Sequence, residues 1–384
     1  MKVFVKSGHH DRRNCLASVA LPDGFELEGP VHLEAADGAI LPAQVTDGGK
    51  TLLFMLNEQL ADAEAEYAVM CGDASHGKGV SVAADAKGEN YDILIDGQLF
   101  TTLHCGAKWA KPFMFPVMNV RNVPVTRSFP MIPDVPGETH DHPHQKSLWT
   151  AWGDVNGTDI WGEAGEYGRI LTKSVEIIEQ GPLRVTVKLT LDWVTSAGVK
   201  LMSENRCLSF IAPGDVRAVD FKVTFVADCG EVTLGDTKEG GLCSVRVASS
   251  MDGTGAGLIT LSDGSVGEAE CWGKRACWCD YYGAVPGGMT GICIMDNPAN
   301  FRFPTYWHVR NYGLMTANPF GVSYFTGDKT KNGTHVIAAG QSETWKYRVI
   351  FHDGDAPKAR LAERYHDYVH GPICVMTDME NKNN

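Results

Sequence analysis

Leu183-Arg184-Val185-Thr186-Val187-Lys188-Leu189-Thr190-Leu191-Asp192-Trp193 is the stretch that decides the fold class. Its apolar residues fall at every second position, with Arg, Thr, Lys, Thr and Asp between them. Successive side chains on a strand point to opposite faces, so this spacing predicts a strand with one dry and one wet face. Val219, Phe221, Val223 and Phe225 repeat the pattern, as do Trp345, Tyr347, Val349 and Phe351. Half-polar strands of this kind belong to antiparallel sheet. The wet face is either open to solvent or the lining of a cleft, and the pattern does not choose.

Outward from this centre, residues 1–85 read as short strands and tight turns. Apolar runs at Val19–Leu21, Val31–Glu34 and Leu52–Leu56 lie near the turn pairs Asp23-Gly24, Asp37-Gly38 and Asp47-Gly48. A small N-terminal β domain is expected over 1–85. Residues 74–79 mark its boundary, with Tyr91 as the alternative start of the next unit. The second domain is expected over 90–375 and carries one helix near 357–370. Asp355 can cap that helix, and Leu361, Tyr365, Tyr368 and Val369 share a face. Gly371-Pro372 ends it, and the last dozen residues are expected to fray.

The chain has 384 residues, 42 of them glycine, and a net charge of −13. Such acidity argues against a nucleic-acid backbone or an anionic membrane as partner. No apolar run is long enough to cross a bilayer as a helix. The N-terminus lacks the apolar core of a signal peptide, and the 11 cysteines follow no disulfide or zinc spacing. A cytoplasmic protein with free thiols is the expectation, and a homo-oligomer is compatible with it. No dinucleotide, Walker or Gly-x-Ser-x-Gly motif is present.

Chemistry concentrates in three segments. The first, Glu138–Glu163, holds His140, His142, His144, Trp149, Trp152, Asn156 and Trp161. Titratable rings beside flat aromatic surfaces suit a sugar, while a Trp-rich core edge with solvated histidines is the plainer reading. The second is Asp236-Thr237-Lys238-Glu239-Gly240-Gly241, either a carboxylate base tuned by an ammonium neighbour or a solvated turn. The third is Tyr306-Trp307-His308-Val309-Arg310-Asn311-Tyr312, with a titratable ring and a fixed cation on one side of a strand. Trp272-Gly273-Lys274-Arg275 is a further segment, read either as a packed hairpin or as a ligand contact.

These segments resemble a bacterial family labelled "methane oxygenase PmoA". The resemblance rests on Pro124–Pro130, Asp141–His144, Gly153–Trp161, Asp236–Gly240, Trp272–Ala276, Tyr306–Leu314 and Ala317–Gly321. Where members often read Asp-His-Pro-His-His-Arg, this chain has Gln145 and Lys146. A membrane oxygenase subunit would need spans that this chain lacks. The resemblance implies a large antiparallel β-supersandwich similar to aldose mutarotases, acting on sugars or keto-sugars.

The resulting expectation is a carbohydrate-active enzyme using acid–base chemistry, by glycoside cleavage, elimination or epimerisation. His144 or His308 would be the acid and Glu239 the base, with Lys238 and Arg310 holding developing negative charge. Trp149, Trp152, Trp161 and Trp307 would stack on sugar faces. Arg127, His142, Asn156, Asp236 and Tyr306 are further candidate contacts. No cofactor is favoured. A divalent metal on His142, His144 and His308 is one alternative, and a non-catalytic sugar-binding module is another. His144, Glu239 and His308 are expected within about 10 Å of one another, because one small sugar must reach all three.

Overall fold

A computed structural model describes residues 1–72, 79–212 and 214–377. Strand outweighs helix 50% to 6%, and the fold is mainly β with antiparallel sheets. The expected boundary segment falls largely within 73–78, and most of the expected frayed tail within 378–384; both lie outside the described residues.

Two eight-stranded sheets face each other. The outer sheet contains the deciding stretch as Arg184–Val194, paired on both sides with Arg169–Gln180 and Lys200–Ile211. Val185, Val187, Leu189, Leu191 and Trp193 point inward and are fully buried. Ser342–Asp353 sends Trp345, Tyr347, Val349 and Phe351 into the same core. Each such side chain contributes roughly 1.5–3 kcal/mol through burial. One inward strand breaks the apolar pattern, because Lys200–Ile211 points Glu204 and Arg206 into this core. They pair with each other through 2.6 and 2.9 Å hydrogen bonds, and the Trp193 indole N–H donates to Glu204 at 2.7 Å.

The second sheet carries the site. Its order is Tyr306–Arg310, Leu314–Asn318, Gly240–Arg246, Leu148–Trp152, Phe113–Val117, Gln98–His104, Asn90–Ile95 and Val80–Ala84. One face of this sheet, with Trp152, Trp307 and Met315, joins the shared core. The opposite face lies under long loops.

Strand pairing crosses the expected limits at both ends. Val80–Ala84 pairs with Asn90–Ile95 in the site sheet. Ile373–Thr377 returns to pair with Lys2–Lys6 at the edge of the seven-stranded N-terminal sheet. That sheet encloses its own core of Val3, Val5, Leu33, Leu52 and Phe54. Its closing strand comes from the far end of the chain, which no local pattern near residue 85 reveals. The helix is shorter than expected, Leu361–Val369. Arg360 takes a left-handed backbone, and residues 355–360 form tight turns in which Asp355 caps Lys358. Leu361 and Tyr365 pack on Cys293, Met295 and Ile350 of the outer sheet.

Candidate functional site

Residues directly opposed across antiparallel strands point to the same face. Pairing therefore builds one row across the site sheet from His104 through Phe113, Trp149, Ser244 and Thr316 to His308. The next row holds Arg246, Leu314 and Arg310. Close packing here demands glycine, since a Cβ on Gly241 would lie 1.5 Å from Thr316 Oγ1.

His308 ends the first row and is 2% exposed. Its Nδ1–H donates to the Lys238 carbonyl at 2.8 Å, which fixes the neutral tautomer. The other nitrogen, Nε2, is buried with no hydrogen-bond partner. Burial lowers the His308 pKa to about 4, against the opposing pull of Glu239. The loop that supplies the carbonyl is clamped by buried Asn318, whose amide donates to the Thr237, Lys238 and Gly240 carbonyls.

Glu239 extends from this loop beside Lys238, its ion-pair partner, and keeps 45% of its side chain exposed. Burial opposes its ionisation, but Lys238, then His308 and His144, outweigh it and hold the carboxyl below its usual range. Glu239 thus feels both imidazoles across some 95 and 70 residues of sequence.

His144 sits on a loop locked from beneath. Arg127 is fully buried and donates to the Asp141 carboxylate at 2.6 Å and to the His142 carbonyl at 2.9 Å. Arg246 reaches Asp141 at 2.9 Å and the Gln145 side chain at 2.6 Å, and it stacks on Tyr312. His142 lies flat against Tyr312, bonds Asp141 at 2.5 Å, and meets His144 at 5.7 Å between ring centroids. His144 in turn packs on Trp161. Burial, then Lys111 and His142, lower the His144 pKa to about 4.

A second charged group lies beyond Trp161. Glu163 pairs with Lys111 at 2.8 Å and with Lys146, and both lysines are nearly inaccessible. Burial lowers the Lys111 pKa to about 8 despite Glu163.

His144, Glu239 and His308 therefore form one electrostatic group, with Lys238, His142 and Tyr312 around it. Other expected roles are corrected. Trp149, Trp152, Trp161 and Trp307 are at most 2% exposed and offer no open face to a sugar. Trp152 and Trp307 donate their indole N–H groups to the Gly235 and Ala276 carbonyls in the core. Arg127 holds the histidine loop rather than facing a ligand. Asn156 bonds the backbone of Glu231 and Thr233, and Asp236 accepts from the Ser323 and Gly333 amides; both brace loops. Tyr306 stacks on Phe325 with Arg275 above it. Arg310 flanks the site but is paired with Glu268 at 2.8 Å and lies over Trp272. Burial favours the neutral ring at both His144 and His308 near neutral pH, which does not favour the acid role expected of either. Among the described residues no three His, Cys, Asp or Glu side chains are grouped as they would be to hold a metal ion.

Sequence reasoning missed Arg246 and Lys111, and gave no role to Glu163 or Asn318 although both lie in segments it singled out. Arg246 was readable as the one charge in Leu242–Val247. Lys111 carried no local signal.

No match is found among curated proteins. Solved structures align at low identity. A glycosyl hydrolase family 38 protein from Enterococcus faecalis is 9% identical, with TM-score 0.43, over 98% of this chain and 47% of that one. This chain thus spans about half the length of that structure. A galactose mutarotase-like protein from Lactobacillus casei is 10% identical, with TM-score 0.32, over 71% of this chain and 100% of that one. No helix is long and apolar enough to cross a membrane among the described residues. The model of one family, described as "Family of unknown function (DUF6807)", matches residues 90–366, and the chain belongs to that family.

Proposed function

We propose that this protein acts on a sugar or oxidised sugar by proton transfer, as an epimerase or a β-eliminating lyase. One observation carries the reading: the buried, unpartnered Nε2 of a tautomer-fixed His308, next to the ionised Glu239. An orphaned acceptor in a buried position is costly without a partner. A substrate hydroxyl or an acidified C–H supplies the missing proton. As the imidazolium forms, the Glu239 carboxylate stabilises it, a gain realised only as charge develops. The Lys238 ammonium and the Tyr312 phenol, whose pKa burial raises, remain donors toward an oxyanion or leaving group.

Glycoside hydrolysis fits less well. It ordinarily needs two carboxyl groups flanking the bond, one of them protonated. Glu163 is held by two lysines, Glu268 by Arg310 and Asp141 by Arg127 and Arg246, and Glu239 is itself paired with Lys238 and ionised.

The test is exchange of solvent deuterium into keto-glycosides, followed by NMR, with His308→Gln as the variant. Glutamine keeps a donor for the Lys238 carbonyl but removes the basic nitrogen. A loss of roughly 10²–10⁴-fold with an unchanged unfolding midpoint is expected. Wild-type exchange rates in the variant would sink the proposal.

A further inference from the structure

A cavity of about 520 Å³ opens beside His144, walled by Pro143 and Lys146 and by Lys108, Trp109, Glu163 and Arg169. Its charge is at odds with the rest of the molecule. The chain carries −13 overall. Here Lys108, Lys146 and Arg169 line the wall, and Lys111 stands behind Glu163. On the wall itself three cations meet two carboxylates, Glu163 and Glu166, while Lys111 behind it also feels Asp159. Glu163 is already shared by two ammonium groups, and Glu166 accepts from Ser196 at 2.7 Å.

Three buried polar atoms around the cavity lack hydrogen-bond partners: two indole donors and one acceptor, Glu163 Oε1, which has the Lys111 ammonium 2.8 Å away. Trp109 lies between Lys108 at 4.9 Å and Lys146 at 5.8 Å, and its buried indole N–H has no acceptor. The Trp161 indole N–H, under His144, has none either. Excess positive charge and unfilled donors in one place call for an acceptor that carries negative charge.

We propose that this cavity binds an anionic group of the substrate, a carboxylate or a phosphate carried on the sugar. The assignment rests on the reading of the adjoining site as a sugar enzyme, and it narrows the substrate class to acidic sugars. Lys146 and the Trp109 N–H receive the anion, and Lys108 and Arg169 supply the surrounding field. The rest of the sugar then reaches across His144 toward Glu239 and His308.

Titration calorimetry with methyl β-D-glucuronoside, glucose 6-phosphate and methyl β-D-glucoside tests this. At least one anionic sugar should bind roughly tenfold tighter than the glucoside, with affinity falling as salt rises. The two anionic probes separate a carboxylate from a phosphate site. Lys108→Glu, at an exposed position, should weaken the anion roughly tenfold and leave the glucoside and the unfolding midpoint unchanged. Equal affinity for the glucoside, absent anion binding, or indifference to Lys108→Glu would each overturn the proposal. Running the titration on His308→Gln keeps the two readings separate. Anion binding by the wild-type protein without any turnover of the sugars supports this cavity and removes the proton-transfer reading. Turnover of neutral keto-sugars with no anion preference removes this cavity and leaves that reading in place.

Discussion

Two clusters of buried charge occupy different sides of the site sheet. Between the sheets, one glutamate meets one arginine: Glu204 and Arg206 are at most 2% exposed, and Trp193 completes the bonding of the carboxylate. Above the site sheet, Glu163 is shared by two lysines, and the indole N–H groups of Trp109 and Trp161 lack acceptors. The first cluster is closed and neutral. The second has positive charge to spare on the cavity wall, and two indole donors and the Glu163 Oε1 acceptor go unused. Buried charge by itself does not mark function, since a fully satisfied pair is a structural device. Spare charge beside an open cavity is the better marker, since an unpartnered indole N–H also occurs at Trp345 in the core.

The sharpest way to break this comparison is Glu204→Ala. It strands the Arg206 guanidinium in a core that solvent does not reach, at a cost of about 3–5 kcal/mol. Urea unfolding measures it, and added formate should not restore stability. A loss below about 1 kcal/mol would mean that the core pair is hydrated.

Glu163→Ala should cost less, about 1–3 kcal/mol, because its side chain keeps 15% exposure beside the cavity. Here formate should recover part of the loss by taking the vacated place between Lys111 and Lys146. Failure of rescue would make this cluster as closed as the other.

The smallest effect near neutrality concerns pH. His308 and His144 have pKa values lowered from 6.5 to about 4. Between those values the unfolded chain binds more protons than the folded one, so stability should rise as pH climbs from about 4 to about 6.5. Above that window these two rings should contribute no further pH dependence. NMR titration of the ring protons checks it; an imidazolium form of His308 at pH 6 would contradict the burial argument.

Much of the scaffold was legible because its signal is local. Alternation over 183–193 marks a strand wherever that strand goes, and the face shared by Leu361 and Tyr365 marks a helix wherever it packs. The three chemical segments were legible too, since histidines, carboxylates and cations near aromatics stand out in any chain. Their roles were less so. On Leu148–Trp152 all five residues are buried, so alternation there could not separate Trp149, on the site face, from Trp152, in the core.

By itself the sequence determined an antiparallel β protein and the segments where titratable groups gather. Tertiary structure alone decided which nitrogen of His308 is free, because a carbonyl 70 residues away occupies the other. It decided that all four tryptophans are buried, two on the site face and two in the core, since burial of both faces of a ring depends on distant parts of the chain. It also decided the charge balance beside His144, because Lys111, Lys146 and Glu163 meet only once the strands are paired. Periodicity is a property of neighbours along the chain, whereas tautomer, burial and net field are sums over neighbours in space.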